Sequence, residues 1–144
     1  MLVQQILKSK GDSGVITITP ETPVSEVASI LAERRIGGVV VSSDGERPEG
    51  ILSERDIVRA LAVRGAPCLQ ETASQMMTRN PVCCTRQDTS DAVLARMTDG
   101  RFRHMPVVEN GKLVGIVTIG DVVKARLEEL SMEKSALEGM IMGY

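Results

Sequence analysis

The chain has 144 residues, of which 42% are hydrophobic and 25% charged, a balance typical of a folded globular protein. Its net charge of −2 excludes a general attraction to nucleic acid, and its two aromatic residues, Phe102 and Tyr144, are too few for the stacking surfaces used in single-strand binding. No apolar run reaches the roughly 20 residues of a membrane span, and the N-terminus lacks the pattern of a signal peptide.

The first elements predicted are a short amphipathic helix at residues 1–8 and a β-type stretch, VITIT, at 15–19. A helix follows because apolar residues recur at i, i+3, i+4 and i+7 over residues 24–31. The run GGVVV at 37–41 predicts a strand. The first part of the chain is therefore expected to alternate strands and helices.

A turn marked by Asp44-Gly45 separates that strand from a buried strand, GIL, at 50–52. A helix is expected to begin near Ser53 and to end at Gly65, since glycine is favoured just after a helix. Residues 66–76 are interpreted as a linker.

The second part of the chain predicts the same order of elements. It begins with a β-type stretch, PVCCT, at 81–85, followed by a helix at residues 90–97. Two strands, MPVVE (105–109) and KLVGIV (112–117), come next, and a second helix starts near Thr118. Asn110-Gly111 between the last two strands is a strong signal for a two-residue hairpin. Each part therefore reads β-α-β-β-α.

The two parts are copies of one unit. GILSERDIV begins at Gly50 and GIVTIGDVV at Gly115, and residues 22–27 and 35–41 align with 88–93 and 101–107. Self-similarity at a fixed period indicates an internal repeat. Because one such unit has too little sheet to bury its apolar face, the two copies are expected to pack with pseudo-two-fold symmetry.

Both copies carry a hydroxyl residue followed by an acid at the point where a strand gives way to a helix: Ser53-x-x-Asp56 and Thr118-x-x-Asp121. One interpretation is a pair of capping boxes, each stabilising its helix by ~1 kcal/mol. The other is a pair of ligand sites, because a helix N-terminus favours phosphate and a carboxylate can accept two hydrogen bonds from a ribose diol. The two roles are compatible, since one carboxylate oxygen suffices for the cap.

These tandem motifs, together with MPVVENGKLVGIV and MMTRNPV, closely resemble a CBS-domain pair, or Bateman module, of the small stand-alone bacterial type. The resemblance implies an α/β (α+β) fold of two β-α-β-β-α CBS units. The expected division is unit 1 at 1–65 with the short N-terminal helix, the linker 66–76, unit 2 at 77–131, and a C-terminal helical tail at 126–144 that overlaps the last helix of unit 2.

The resemblance also implies two clefts that bind adenosine-containing ligands, each shared between the units. In one, Asp56 would hold the ribose diol beside Ser53, with Arg55 as a further contact. The adenine there would meet residues of the second unit: Asn80, Val82 and Phe102. Arg103 and His104 match positions that often contact phosphate in the family.

In the other cleft, Asp121 would hold the ribose diol beside Thr118. Its adenine would meet residues of the first unit: Gly14, Ile16, Ile36 and Gly37.

The two copies differ in charge, since Arg55 matches Gly120, and Arg103-His104 match Gly37-Gly38. We therefore expect the clefts to differ in affinity or in ligand, with a mononucleotide in one and a bulkier dinucleotide in the other.

Other candidate sites have simpler interpretations. His104, the only histidine, has no nucleophile partner at a recognisable spacing, so no catalytic residue is predicted. Cys83 and Cys84 are expected to form part of a strand, one inward and one outward, and with Cys68 to be free thiols in a reducing cytoplasm. No metal site is predicted.

Two hypotheses on function stay open. The first is a regulatory module that binds AMP, ADP, ATP or NAD(H), with S-adenosylmethionine ranked behind them, and signals energy or redox state to an unidentified effector protein. The second is a ligand-independent scaffold acting through its tail, where Leu127, Leu130, Leu137 and Ile141 share one side. A homodimer is expected, with no nucleic-acid or membrane partner, no catalytic cofactor and no enzymatic activity.

Overall fold

The computed structural model describes residues 1–11 and 15–142. The elements of its first part are α1 Val3–Lys10, β1 Thr17–Ile18, α2 Val24–Arg34, β2 Gly38–Val41, β3 Gly50–Ser53 and α3 Glu54–Arg64. A 3₁₀ helix, Ala66–Gln70, and α4 Ala73–Met76 follow. The elements of its second part are β4 Thr78–Arg79, α5 Ser90–Gly100, β5 His104–Glu109, β6 Lys112–Thr118 and α6 Ile119–Met142. The mixed α+β architecture with two repeated units is the one predicted.

The β-type stretches that open the units are shorter than predicted. Residues 15–19 contribute only β1, and PVCCT forms no regular strand. In PVCCT only Cys84 makes a bridge, parallel to Val107, with backbone bonds to Pro106 and Val108. Pro81 lacks the N–H group that a ladder needs, which favours this irregular conformation.

The strands form two sheets. The larger has the order β1-β2-β3-β4, with β2 and β3 antiparallel and Val39 opposite Leu52. The smaller is the hairpin of β5 and β6. Its turn residues Asn110 and Gly111 have φ of 52° and 77°, which is the backbone of the two-residue turn predicted.

Each unit is completed by the segment that precedes the other unit. Helix α1 contributes Val3 and Ile6, 0% and 2% exposed, to the core of the second unit. The linker contributes buried Ala73 to the core of the first unit, and β4 joins the sheet of that unit. Helix α1, which was expected to accompany unit 1, therefore packs on unit 2.

The first glycine of each repeated motif lies against a segment from outside its own unit. Residues 77–78 pack on Gly50, and Leu7 of α1 packs on Gly115. A Cβ added to Gly50 would stand 2.9 Å from the backbone oxygen of Thr78, and one added to Gly115 would stand 2.7 Å from a methyl group of Leu7. Both glycines therefore allow a close approach of chain from outside their own unit, with backbone in the way of a Cβ only at Gly50.

The tail continues the last helix of unit 2 without a break, and α6 has 24 residues. Its four predicted apolar residues are exposed, by 61% at Leu127, 45% at Leu130, 59% at Leu137 and 85% at Ile141. No helix among the described residues combines the length and the apolar character that crossing a membrane requires.

Candidate functional site

Two clefts lie where strand ends and helix starts of the two units meet. The Asp56 cleft, of about 280 Å³, is lined from unit 1 by residues including Ser53, Arg55 and Asp56. The Asp121 cleft, of about 830 Å³, is lined from unit 2 by Thr118 and Asp121 and from the first part of the chain by residues of α1 and the end of α2. Both draw on both halves of the molecule.

Most of the predicted site residues line one of these clefts. Those in the Asp56 cleft are Ser53, Arg55, Asp56, Asn80, Val82, Phe102 and Arg103. Those in the Asp121 cleft are Thr118, Asp121, Ile16 and Ile36. Gly37 and His104 line both clefts, and Gly14 lies outside the described residues.

Asp56 caps helix α3 through one carboxylate oxygen. Its Oδ2 accepts hydrogen bonds from the backbone N–H and the hydroxyl of Ser53, each at 2.9 Å, and Ser53 Oγ accepts one from the Asp56 N–H at 3.4 Å. The predicted capping box is therefore present. Within the part of the chain that the structure describes, Oδ1 has no hydrogen-bond partner, and Asp56 lines the cleft.

Asp121 makes the same cap at the start of α6, with Thr118 N–H donating to its Oδ2 at 2.9 Å. It also has a partner that the sequence did not indicate: Lys10 Nζ lies 2.8 Å from Oδ2 and donates to the Ile116 carbonyl at 2.9 Å. Lys10, at the end of α1, therefore occupies part of the carboxylate that was assigned to the ribose diol.

His104 forms a wall between the clefts. A Cβ added to Gly38 would stand 3.1 Å from its Nε2, and one added to Gly37 would stand 3.4 Å away, so the imidazole packs directly on this glycine pair. Burial lowers the pKa of His104, the nearby carboxylates of Glu54, Asp56 and Asp121 raise it, and Lys10 lowers it further; the net pKa lies below its usual value.

Positive charge is unevenly distributed between the two clefts. Arg55, Arg103 and His104 all line the Asp56 cleft, which also contains Arg59 and Arg101 against two acids. Among the described residues, however, the Asp121 cleft has five basic side chains against one acid; the basic residues are Lys8, Lys10, Arg34, Arg35 and Arg86. The larger cleft is therefore the more positive one.

Sequence reasoning missed Lys8, Lys10 and Arg86 because they come from segments outside the two repeated motifs, and it missed Arg34 and Arg35 although they directly precede the predicted Ile36. One signal of these basic residues was present in the sequence, because Arg35 and Arg101 occupy equivalent positions in the two copies of the repeat. Both end a helix in the left-handed conformation, with φ of 53° and 55°, and each lines one cleft. Lys8 and Lys10 gave none, because nothing in the sequence indicates that α1 packs on unit 2.

The cysteines do not have the environment of reactive thiols. Cys84 is buried, which raises the pKa of its thiol to about 12, and burial also raises the pKa of Cys83, which is partly buried. Reactive thiols have lowered pKa values, so a redox role gains no support. The described residues contain no group of three or more candidate metal ligands.

Comparison with known proteins agrees with this architecture. The family model for the CBS domain matches residues 11–63 and 73–128. The chain belongs to the CBS-domain family. It spans only about a quarter of the length of two curated CBS-domain relatives from Arabidopsis thaliana, CBSCBSPB2 and CBSCBSPB3, to which it is 32% and 31% identical over 88% of its own length.

Solved structures of CBS-domain proteins match over almost their whole length. A CBS-domain containing protein from Agrobacterium tumefaciens is 47% identical, with a TM-score of 0.82 over 88% of this chain and 99% of that one. A CBS domain protein from Pyrobaculum aerophilum, complexed with AMP, is 29% identical, with a TM-score of 0.77 over 92% and 99%. The CBS domain pair of protein MJ0100, in complex with 5′-methylthioadenosine and S-adenosylmethionine, is 27% identical, with a TM-score of 0.77 over 90% and 98%.

Proposed function

We propose that this CBS pair is a regulatory module that binds adenine nucleotides in the Asp56 and Asp121 clefts and signals their occupancy to an effector protein. The observation that carries the proposal is the position of the two acids. Each aspartate lies at a helix N-terminus, caps it through Oδ2, and faces a cleft completed by the other unit. Such a corner favours both a ribose diol and a phosphate.

The ligand class is supported by the two relatives whose structures contain adenosine derivatives, AMP in one and 5′-methylthioadenosine with S-adenosylmethionine in the other. AMP, ADP, ATP and NAD(H) remain our first candidates because basic residues line both clefts, which suits phosphate-bearing ligands. S-adenosylmethionine lacks phosphate and ranks behind them.

The two clefts suit different ligands. The Asp56 cleft, at about 280 Å³, fits a mononucleotide, whereas the Asp121 cleft, at about 830 Å³ and with five basic side chains, fits a dinucleotide or a nucleotide with several phosphates. Binding in a cleft shared by both units would tighten them against each other, and an effector that distinguishes the tightened state would read the signal. This role requires no catalysis, and we propose a cytoplasmic homodimer.

Thermal unfolding with AMP, ADP, ATP, NAD⁺, NADH or S-adenosylmethionine tests the proposal. A ligand at 100 times its Kd stabilises the folded state by about 2.7 kcal/mol, which corresponds to a shift of several degrees. We expect a shift for at least one phosphate-bearing ligand, lost in Asp56→Ala or Asp121→Ala according to the cleft it occupies.

Thr89→Ala is the matched control. Thr89 caps α5 by accepting from the Ala92 N–H at 3.1 Å, but it lines neither cleft. This variant is expected to lose ~1 kcal/mol of stability, as the aspartate variants also do, and to keep the full ligand shift. No shift for any ligand at millimolar concentration would leave the aspartates as helix caps and favour the scaffold alternative.

A further inference from the structure

His104 is one side chain that both clefts share. It is the first residue of β5, and its counterpart in the repeat, Gly38, is the first residue of β2. These strand starts pair with the hydroxyl residues of the two motifs, Gly38 with Ser53 and His104 with Thr118. A Cβ added to Gly38 would stand 3.1 to 3.2 Å from three atoms of the imidazole. The ring therefore packs against its own counterpart, at the point where the two copies of the repeat meet, and it lines both clefts.

The repeat leaves room for only one side chain at this point. Copy one has Gly37 and Gly38 where copy two has Arg103 and His104. A larger side chain at position 38 would collide with the imidazole, since even its Cβ would be in close contact with the ring. The glycine pair thus gives the two clefts a single titratable group in common.

The imidazole lies among charges from three helices. Glu54 and Asp56 on α3 belong to the side of the Asp56 cleft, and Asp121 on α6 and Lys10 on α1 belong to the side of the Asp121 cleft. Within the part of the chain that the structure describes, neither ring nitrogen has a hydrogen-bond partner. The protonation of His104 is therefore governed by its burial and by the charges in the two clefts, and a bound anion changes those charges.

We propose that His104 couples the two clefts through one proton. An anionic nucleotide in either cleft draws a proton from the solvent onto the imidazole, and the resulting imidazolium favours an anionic nucleotide in the other cleft. The inference rests on the proposed function, because it requires that both clefts bind nucleotides.

The coupling follows from the position of the ring between the two sites. A phosphate beside a buried imidazole stabilises the charged form of the ring. The first nucleotide has to offset the cost of charging the buried ring, whereas the second meets an imidazolium that is already formed. Two anions on either side of a neutral ring would only repel each other. Because binding free energies are linked, the coupling has the same size whichever cleft is filled first.

NMR titration of the imidazole tests the proposal on the full chain, because His104 is the only histidine and its signal needs no further assignment. The pKa of His104 is measured with and without nucleotide in two variants, each compared with its own ligand-free state. Asp121→Ala leaves the Asp56 cleft, which is probed with AMP, and Asp56→Ala leaves the Asp121 cleft, which is probed with ATP. We expect each nucleotide to raise the proton affinity of His104 by about fivefold or more.

Adenosine is the matched control, since it has the same base and sugar but no phosphate, and it should leave the pKa of His104 unchanged. An equal rise with adenosine would overturn the proposal. So would a pKa that stays the same while isothermal titration shows that the nucleotide is bound, or binding in only one of the clefts; the proposed function would survive these results. If neither nucleotide binds at millimolar concentration, the proposed function fails and the coupling fails with it.

The pH dependence of nucleotide affinity gives an independent measurement. If the liganded protein holds the proton more tightly, the affinity must rise as the pH falls towards the pKa of His104. Between about pH 7.5 and pH 6, the ATP affinity of Asp56→Ala should rise by a larger factor than that of the double variant Asp56→Ala/His104→Gln. The ionisation of ATP itself affects both proteins equally. Equal factors in the two folded proteins, as checked by circular dichroism, would contradict the proposal.

Discussion

At the scale of single residues, the two aspartates differ in what already surrounds them. Among the described residues, Asp56 has hydrogen bonds only with Ser53, whereas Asp121 also has Lys10 at 2.8 Å. An ion pair of this partly exposed kind contributes about 0.2–1 kcal/mol. A ribose diol that binds Asp121 has to compete with it, so Lys10 is expected to weaken the binding of the sugar in this cleft.

Lys10→Ala should therefore strengthen the binding of adenosine, which has the ribose diol but no phosphate, to the Asp121 cleft by up to about fivefold. Isothermal titration with the Asp56→Ala variant as background isolates this cleft. Lys8→Ala is the control, because Lys8 lines the same cleft without contacting Asp121, and it should leave adenosine affinity unchanged. Weaker adenosine binding in Lys10→Ala would instead make Lys10 a ligand contact.

His104 gives a pH dependence with a definite sign. Its pKa is lowered in the folded state, so the unfolded state binds the proton more readily. The stabilising contribution of the neutral imidazole is fully present above the unfolded value of about 6.5 and is lost as the pH falls through the lower folded value. Between pH 7.5 and 5.5, urea unfolding should show a larger loss of stability for the unmodified protein than for His104→Gln. Since the chain has no other histidine, equal losses would contradict this.

At the scale of elements, two segments are exchanged between the units: α1 packs on unit 2, and residues 73–79 pack on unit 1. Their close approach explains why both repeated motifs begin with glycine. The two sites differ in what a methyl group would meet: at Gly50 it would meet the Met77 side chain and also the backbone carbonyl of Thr78, whereas at Gly115 it would meet only the end of the Leu7 side chain. A side chain can change rotamer, whereas backbone in a sheet cannot move without losing its ladder bonds.

Gly50→Ala is therefore expected to cost about 1–3 kcal/mol in the free energy of unfolding, and Gly115→Ala clearly less. Chemical denaturation of both variants measures the difference. The comparison is internal, because both glycines precede equivalent strand residues of the same repeat. A larger cost at Gly115 would mean that Leu7 cannot move, and that α1 is held as rigidly as the sheet.

At the scale of the whole molecule, the exchange of segments makes each unit depend on the other. Val3 and Ile6 bury their side chains in the core of unit 2, and Ala73 and Met77 pack with the core of unit 1. If the core of one unit unfolds, the apolar residues that the exchanged segment buries there become exposed to solvent. Because that segment is joined directly to the other unit, unfolding of one unit destabilises the other as well.

Calorimetry should consequently give a single transition, with equal calorimetric and van't Hoff enthalpies. Ile6→Ala, which removes a side chain 2% exposed, should lower that single Tm by creating a cavity worth about 2–5 kcal/mol. Two separable transitions, with only the one for unit 2 shifted, would show that the units unfold independently.

The sequence by itself determined what depends on neighbouring residues. The order of elements in the repeat, the Asn110-Gly111 hairpin and the two capping boxes could be predicted from short sequence patterns. Turns and caps form between residues within about four positions of each other along the chain. The pairing of Asp56 with Asn80, Val82 and Phe102 in one cleft followed from family resemblance combined with the repeat.

Tertiary structure alone decided which elements meet across the molecule. The approach of Lys10 to Asp121, the packing of His104 on Gly37 and Gly38, and the greater positive charge of the larger cleft all depend on segments far apart in sequence. Local propensity carries no information on such contacts, because they form only when burial of a shared core fixes how the two units and their exchanged segments pack.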